Sequence, residues 1–274
     1  MPVVAITREM GTLGKDVASG LGEALGVPVV YHEIIEHLAD RMRVRKSHVI
    51  RMLDGSAGIL ERLTADKTSL FVHSADEIIA TALQERGAVI RGWGATHLLR
   101  EVPHVACVRV CAPLDLRRRR MMERLGTSDE ARVAEEIGNN DEAHTAIMRR
   151  HFGLQWTAPE NYDLVLNTQR VSVQECVDEV LGLLRSPEFA ETERSRRRLE
   201  DMALAASVRA ALRRSAETRD MKVAVSAEAG RVTLSGERNT DQRLALVEVA
   251  VAVPGVADVA WRSHEPEPAR PRLH

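Results

Sequence analysis

Aromatic side chains are scarce in this 274-residue sequence: three Trp, two Tyr and three Phe. That is too few for the stacking platforms on which single-stranded nucleic acid is read. Charge of one sign is missing too, since 38 Lys and Arg stand against 40 Asp and Glu for a formal net charge of −2. No global basic field draws the chain onto nucleic acid or an anionic membrane, and no nucleic-acid partner is expected. Cysteine is limited to Cys107, Cys111 and Cys176, an odd number with no CxxC pair. This argues against a disulfide framework and fits buried, unpaired thiols in a reducing compartment. Long hydrophobic runs are absent: no window approaches the roughly 18 apolar residues that span a bilayer, and no charged leader precedes an apolar stretch. The expectation is a cytoplasmic protein that is not transmembrane.

What is present is a large reserve of small and aliphatic side chains. Hydrophobic residues make up 44% of the chain, enough for a sizeable core and for two domains. Up to about residue 186, short β-branched runs alternate with amphipathic ones. PVVAIT reads as a strand, and KDVASGLGEALG as a helix with Val17, Leu21, Ala24 and Leu25 on one face and Gly26 closing it. The alternation recurs in AVIRGWG, in HVACVRVCAP before an arginine-rich helix, and in YDLVLNT before VSVQECVDEVLGLL. A βα repetition of this kind predicts a parallel sheet covered by helices, with ligands at the carboxyl ends of its strands.

Between the first strand and helix lies TREMGTLGKDV. A phosphate-binding loop GxxxxGK[ST] wraps backbone N–H groups around phosphates, adds a lysine against their charge and a hydroxyl for magnesium. Aligned on Gly14 and Lys15, this chain has Glu9 in place of the first glycine and Asp16 in place of the hydroxyl. Gly11, Gly14 and Lys15 remain where close backbone approach and a cation at the helix start are needed. In RRRRMMERLG, Arg117, Arg120 and Arg124 share one helical face at i, i+3 and i+7, with Arg119 close by. HEIIEH satisfies neither zinc-binding helix pattern and reads as an amphipathic helix edge. Cys107 and Cys111 lack the further ligands a metal would need.

ITREMGTLGKDVA resembles the opening of the cytidylate kinase-like family of nucleoside monophosphate kinases. YHEII, AVIRGWGATHLLRE, CAPLDLRRRRMMERLG and QWTAPENYDLVLNTQRVSVQE resemble later segments of the same family in the same order. The resemblance implies a three-layer α/β P-loop fold with a helical lid, transferring the γ-phosphoryl of ATP, with Mg2+, to a nucleoside monophosphate, CMP or dCMP first. It assigns Arg8, Gly11, Thr12, Leu13, Gly14, Lys15 and Asp16 to the donor phosphates, and Lys15, Arg117, Arg120 and Arg124 to catalysis. His32, Arg91, Trp93, Asp141 and His144 fall to the acceptor, and Asp16 is the candidate metal ligand. Four departures stand out. His32 and Glu33 occupy the segment where the family carries an aspartate before a basic residue. Trp93 replaces an arginine expected to face phosphate, and His144 replaces the second basic residue of a lid motif that starts at Asp141. Arg91 stands where a magnesium aspartate is expected. Loss of such cations opens an alternative: a catalytically impaired nucleotide-binding sensor. Altered residues on the acceptor side also admit a kinase for another phosphate acceptor.

Past residue 190 the texture changes. AETERSRRRLEDMALAASVRAALRRSAETRD is helical by composition, with an apolar stripe through Leu204, Val208, Ala211 and Leu212. MKVAVSAEAGRVTLSGE alternates about a glycine turn as a hairpin does; a helix RLALVEVAVAV and a short strand VADVAW follow. This αββαβ unit resembles a BON domain in its VTLSG turn and its PGVADV close, which implies a binding module with a protein or phospholipid ligand. The expected division is 1–186 for the kinase-like domain, 187–200 for a charged helical linker, 201–264 for the BON-like domain and 265–274 for a proline-rich disordered tail.

Overall fold

A computed structural model describes residues 2–31, 45, 67–84, 86–92, 94–236 and 239–262. Expectations placed on His32, Glu33, Trp93, the HEIIEH stretch and the tail fall outside these residues. The described chain divides into two units, residues 1–196 and 197–274.

The first unit is built on a five-stranded parallel sheet in the order β2-β3-β1-β4-β5. Its strands are β1 (Val3–Arg8), β2 (Val29–Val30), β3 (Ala88–Arg91), β4 (Val105–Cys111) and β5 (Leu164–Asn167). β1 is an unbroken apolar run because both its faces are covered; Val3, Val4, Ala5 and Ile6 are all fully buried. Pairing of Val4 with Val89 and Ala106, and of Ala5 with Ile90 and Cys107, sorts the side chains into two layers.

On one face, Val4, Ile6, Val89, Val108 and Val110 join Val17 and Leu21 of α1 (Gly14–Leu25) and Val177 and Val180 of α6 (Val173–Leu184). Ala24, read from the sequence as part of α1's apolar face, is exposed; Val17, Ala18 and Leu21 complete the packing without it. α2 (Lys67–Ala82) packs against β3, and the short α3 (Ala95–Leu98) against β1 and β4. Gly26 ends α1 in the left-handed conformation, and a Ser172–Glu175 capping box starts α6.

Two further helices stand over the carboxyl ends of the strands: α4 (Leu114–Leu125) and α5 (Glu130–Phe152). Met121 of α4 and Val133 and Ile137 of α5 form a small buried cluster, with Met10 of the β1–α1 loop packed against it. The lid region is thereby fastened to the loop by apolar contact as well as by charge.

In the second unit, β6 (Ala224–Glu228) and β7 (Arg231–Ser235) form an antiparallel hairpin. Its turn residues, Ala229 and Gly230, both have positive φ, as a tight two-residue hairpin turn requires. β8 (Asp258–Arg262) adds parallel to β7. α8 (Thr240–Val251) opens with an Asn239–Gln242 capping box. Val208 and Leu212 of α7 (Glu193–Arg214) pack with Val232, Leu234, Leu246 and Ala250 around a core of this unit's own. No helix among the described residues is long and apolar enough to cross a membrane.

Candidate functional site

The loop after β1 obtains its curvature from two backbone conformations and one side-chain hydrogen bond. Gly11 has φ +83, and a Cβ there would lie 2.7 Å from the carbonyl oxygen of Arg117. Leu13, the residue before α1, is left-handed at φ 60. The Thr12 hydroxyl donates to the Glu9 carbonyl at 2.8 Å and closes the turn. The Asp16 and Val17 amides both donate to the Leu13 carbonyl. Among the described residues nothing accepts from the amides of Leu13, Gly14 and Lys15. Such amides at a helix start, reinforced by the helix dipole, are suited to an anion.

They open on a cavity of about 370 Å3 lined by Arg8, the Gly11–Asp16 loop, Arg91, Arg120, Met121, Glu123 and Arg124. Five cationic side chains against two carboxylates leave this cavity positive, as a polyphosphate requires. All seven residues expected at the donor phosphates line it. Lys15 stands at the second position of α1 and lines the cavity beside these amides. A smaller cavity of about 30 Å3 shares Arg8 and Arg91 and adds Thr7, Tyr31, Gly92, Asn140 and His144. The Arg91 guanidinium lies over the Tyr31 ring at 4.1 Å.

The arginine trio of α4 divides. Arg120 and Arg124 face the large cavity, whereas Arg117 is buried and turns beneath the loop. Its Nε donates to the Met10 carbonyl at 2.7 Å, and its two terminal nitrogens donate to Asp141 at 2.9 and 2.8 Å. Asp141, expected at the acceptor, lines neither cavity and instead holds Arg117. Arg120 in turn donates to the hydroxyl of Thr168 at 2.9 Å and to its carbonyl at 2.8 Å. The Thr168 hydroxyl donates to the Thr12 carbonyl at 2.8 Å. One buried threonine after β5 thus ties the loop to a cavity arginine.

His144 is a neutral element of the site. Its ring stacks on Trp156 at 3.9 Å between centroids, and burial lowers its pKa to about 3, with His97, Arg8 and Arg109 adding to the shift. At the acceptor-side position where the family resemblance implies a basic residue, burial thus leaves His144 uncharged near neutrality. His97, set against Phe152 and Tyr162, is lowered to about 4 by burial and by Arg100. The cysteines are free and outside this chemistry: burial, with Asp163, pushes the Cys107 thiol up to about 12, and its Sγ donates to the Thr96 carbonyl.

A family model described as the cytidylate kinase-like family matches residues 3–170, more than half of the chain. The chain belongs to the cytidylate kinase-like family. A BON domain model matches residues 200–261. Among solved structures, an uncharacterized protein from Eubacterium ventriosum is similar at 20% identity with a TM-score of 0.53, covering 68% of this chain and 99% of that one. Shikimate kinase from Bacteroides thetaiotaomicron is 15% identical with a TM-score of 0.43, covering 68% of this chain and 99% of that one. A search of curated proteins gave no match.

Within this kinase-like P-loop fold, several residues that shape the site carry no motif. Glu9 shows in the sequence only as a misfit to the glycine pattern. Arg109 is a lone charge in the apolar strand HVACVRV, a signal that could have found it. Thr168 and Trp156 sit in QWTAPENYDLVLNTQ without any mark of their roles. Among the described residues no group of three or more His, Cys, Asp or Glu could hold a metal by itself. Asp16 and Glu123 do line the loop cavity. That fits magnesium, which binds through one or two carboxylates together with substrate phosphates.

Proposed function

We propose that the first unit transfers the γ-phosphoryl group of ATP to a nucleoside monophosphate, with CMP or dCMP the first acceptors to try. The observation that carries this reading is the positive loop cavity, in which anion-ready amides and five cations converge. Phosphoryl transfer depends mainly on positioning and charge neutralisation, so an enzyme of this class needs such convergence more than a nucleophile of its own. In this reading the Gly11–Lys15 backbone and Lys15 hold the donor phosphates. Arg120 and Arg124 face the group in transit, and Arg8 and Arg91, common to both cavities, stand between donor and acceptor. Asp16 and Glu123 would hold magnesium, which when bound neutralises charge on the phosphate oxygens. The BON-like unit serves as a binding module for a protein or phospholipid ligand. The domain division of the sequence reading and a cytoplasmic location go with this proposal.

A second reading has its own observation. His144 is kept neutral, and Arg117 is fully engaged beneath the loop, so two cations expected to face phosphate do not. Loss of one well-placed electrostatic donor costs about 100- to 1000-fold in rate. A nucleotide-binding sensor acting through the BON-like unit is the outcome if the remaining cations do not suffice. The deciding experiment is a coupled ADP-release assay with ATP, magnesium and CMP, dCMP, UMP, AMP or GMP, run beside Lys15→Ala. Turnover with one acceptor, reduced about 100-fold or more in the variant, establishes the kinase and names its substrate. ATP binding without turnover on any of these acceptors removes the nucleoside monophosphate kinase and leaves the sensor, or a kinase for another phosphate acceptor, in its place.

A further inference from the structure

Beneath the phosphate loop lies a cluster of four charges that the proposed reaction does not use directly. Glu9 is buried, and one of its carboxylate oxygens pairs with Arg109 of β4. The other lies 3.4 Å from Arg117 of α4. Arg117 grips Asp141 of α5 with both terminal nitrogens and the Met10 carbonyl with Nε. Arg109 also donates to the Thr157 carbonyl at 2.8 Å, beyond the end of α5. Two guanidinium groups and two carboxylates balance, which is the condition for burying them, since an unpaired buried charge is strongly destabilising.

The placement of this cluster gives it a consequence. Arg117 meets the loop twice: its side chain holds Met10 and Glu9, and its carbonyl oxygen occupies the space a Cβ on Gly11 would need. The far side of the same guanidinium holds α5. One side chain with partners on both thus braces the curved loop against the lid helix. Glu9, which breaks the glycine pattern, supplies one of those partners, and Asp141 supplies the other.

We infer that Glu9 and Asp141 act through Arg117 as a clasp that holds the phosphate loop in its anion-ready curvature, which makes Asp141 a positioning residue for the donor site and not an acceptor contact. The donor named here rests on the kinase reading above; the clasp itself does not.

The test uses the full chain without any acceptor, so that an acceptor contact would be silent. ATP affinity by calorimetry and amide hydrogen exchange across residues 9–17 are compared for wild type, Asp141→Asn, Asp141→Glu, Glu9→Gln and the Glu9→Gln/Asp141→Asn pair. Expected are an ATP affinity at least about 10-fold weaker and faster loop exchange in Asp141→Asn, substantial recovery in Asp141→Glu, and a double variant that is not the sum of the singles because both act on one guanidinium. Unchanged ATP affinity and exchange in Asp141→Asn, with only the acceptor KM altered, overturns the clasp. So does simple additivity in the double variant. If wild type binds no ATP, the kinase reading fails, and loop exchange alone decides: faster in Asp141→Asn sustains the clasp, unchanged removes it. Should Asp141→Asn not fold, Glu9→Gln carries the same two readouts with the same two outcomes.

Discussion

At the scale of single residues, the site depends on small groups in fixed places more than on its conspicuous charges. Gly11 combines a left-handed φ of +83 with a 2.7 Å approach to the Arg117 carbonyl. Gly11→Ala has no relaxed alternative, because the obstacle is backbone. We expect it to destabilise the first unit by about 1–3 kcal/mol, read in urea, and to abolish measurable ATP binding. Thr168 is a subtler case. Its buried hydroxyl accepts from Arg120 and donates to the Thr12 carbonyl, so it serves cavity arginine and loop together. Thr168→Val keeps the shape but strands both partners, at a cost of about 1–3 kcal/mol, with ATP affinity lowered. Thr168→Ser restores both hydrogen bonds, and calorimetry should find its ATP affinity close to wild type. Equal losses in the two variants would mean that the methyl group matters as much as the hydroxyl, and a loss confined to Thr168→Ser would mean that the hydroxyl does not matter.

At the scale of elements, legibility followed periodicity. β1 and α1 could be read because an apolar run buried on both faces and an amphipathic helix closed by Gly26 each leave a local pattern. The helix α4 could be read as well, but not the directions of its arginines: i, i+3, i+7 spacing puts three side chains on one face without saying that the first meets Asp141 and the others a cavity. That distinction comes from α5, which lies elsewhere in sequence. The same holds for His144, whose charge is decided by burial against Trp156, a partner no spacing rule connects to it. Its consequence is measurable. The folded-state pKa of about 3 lies below the ordinary value of 6.5. As pH falls below about 6.5, the unfolded chain takes up a proton that the folded chain refuses, so stability declines until the folded-state pKa is reached. His144 should contribute a slope approaching about 1.4 kcal/mol per pH unit well below 6.5, and His97 a further decline in the same direction. Urea unfolding between pH 7 and 5 for wild type and His144→Phe checks this. The variant should be flatter, and identical slopes would place the histidine in a solvated, titrating environment.

At the scale of the whole molecule, the chain carries two cores with different reserves. The kinase-like unit buries a parallel sheet on both faces, whereas the BON-like unit rests on one three-stranded sheet and two helices. Few aromatic side chains are available to either, so the smaller core depends on aliphatic residues such as Leu234. That residue is fully buried on the central strand β7, paired with Val225 on one side and Trp261 on the other. Leu234→Ala removes contacts on both flanks and leaves a cavity in a sheet with little room to collapse, a loss of about 2–5 kcal/mol. For a unit of this size that is comparable to its entire stability. The expected outcome is regional. In hydrogen-exchange mass spectrometry of the full chain, protection in 224–262 should collapse while β1 and β4 keep theirs, and ATP affinity should stay within about 2-fold of wild type, because additivity holds for sites without shared partners. A matching loss of protection in β1 would instead make the chain one cooperative structure, in which the stability of the loop cavity depends on that of the BON-like unit.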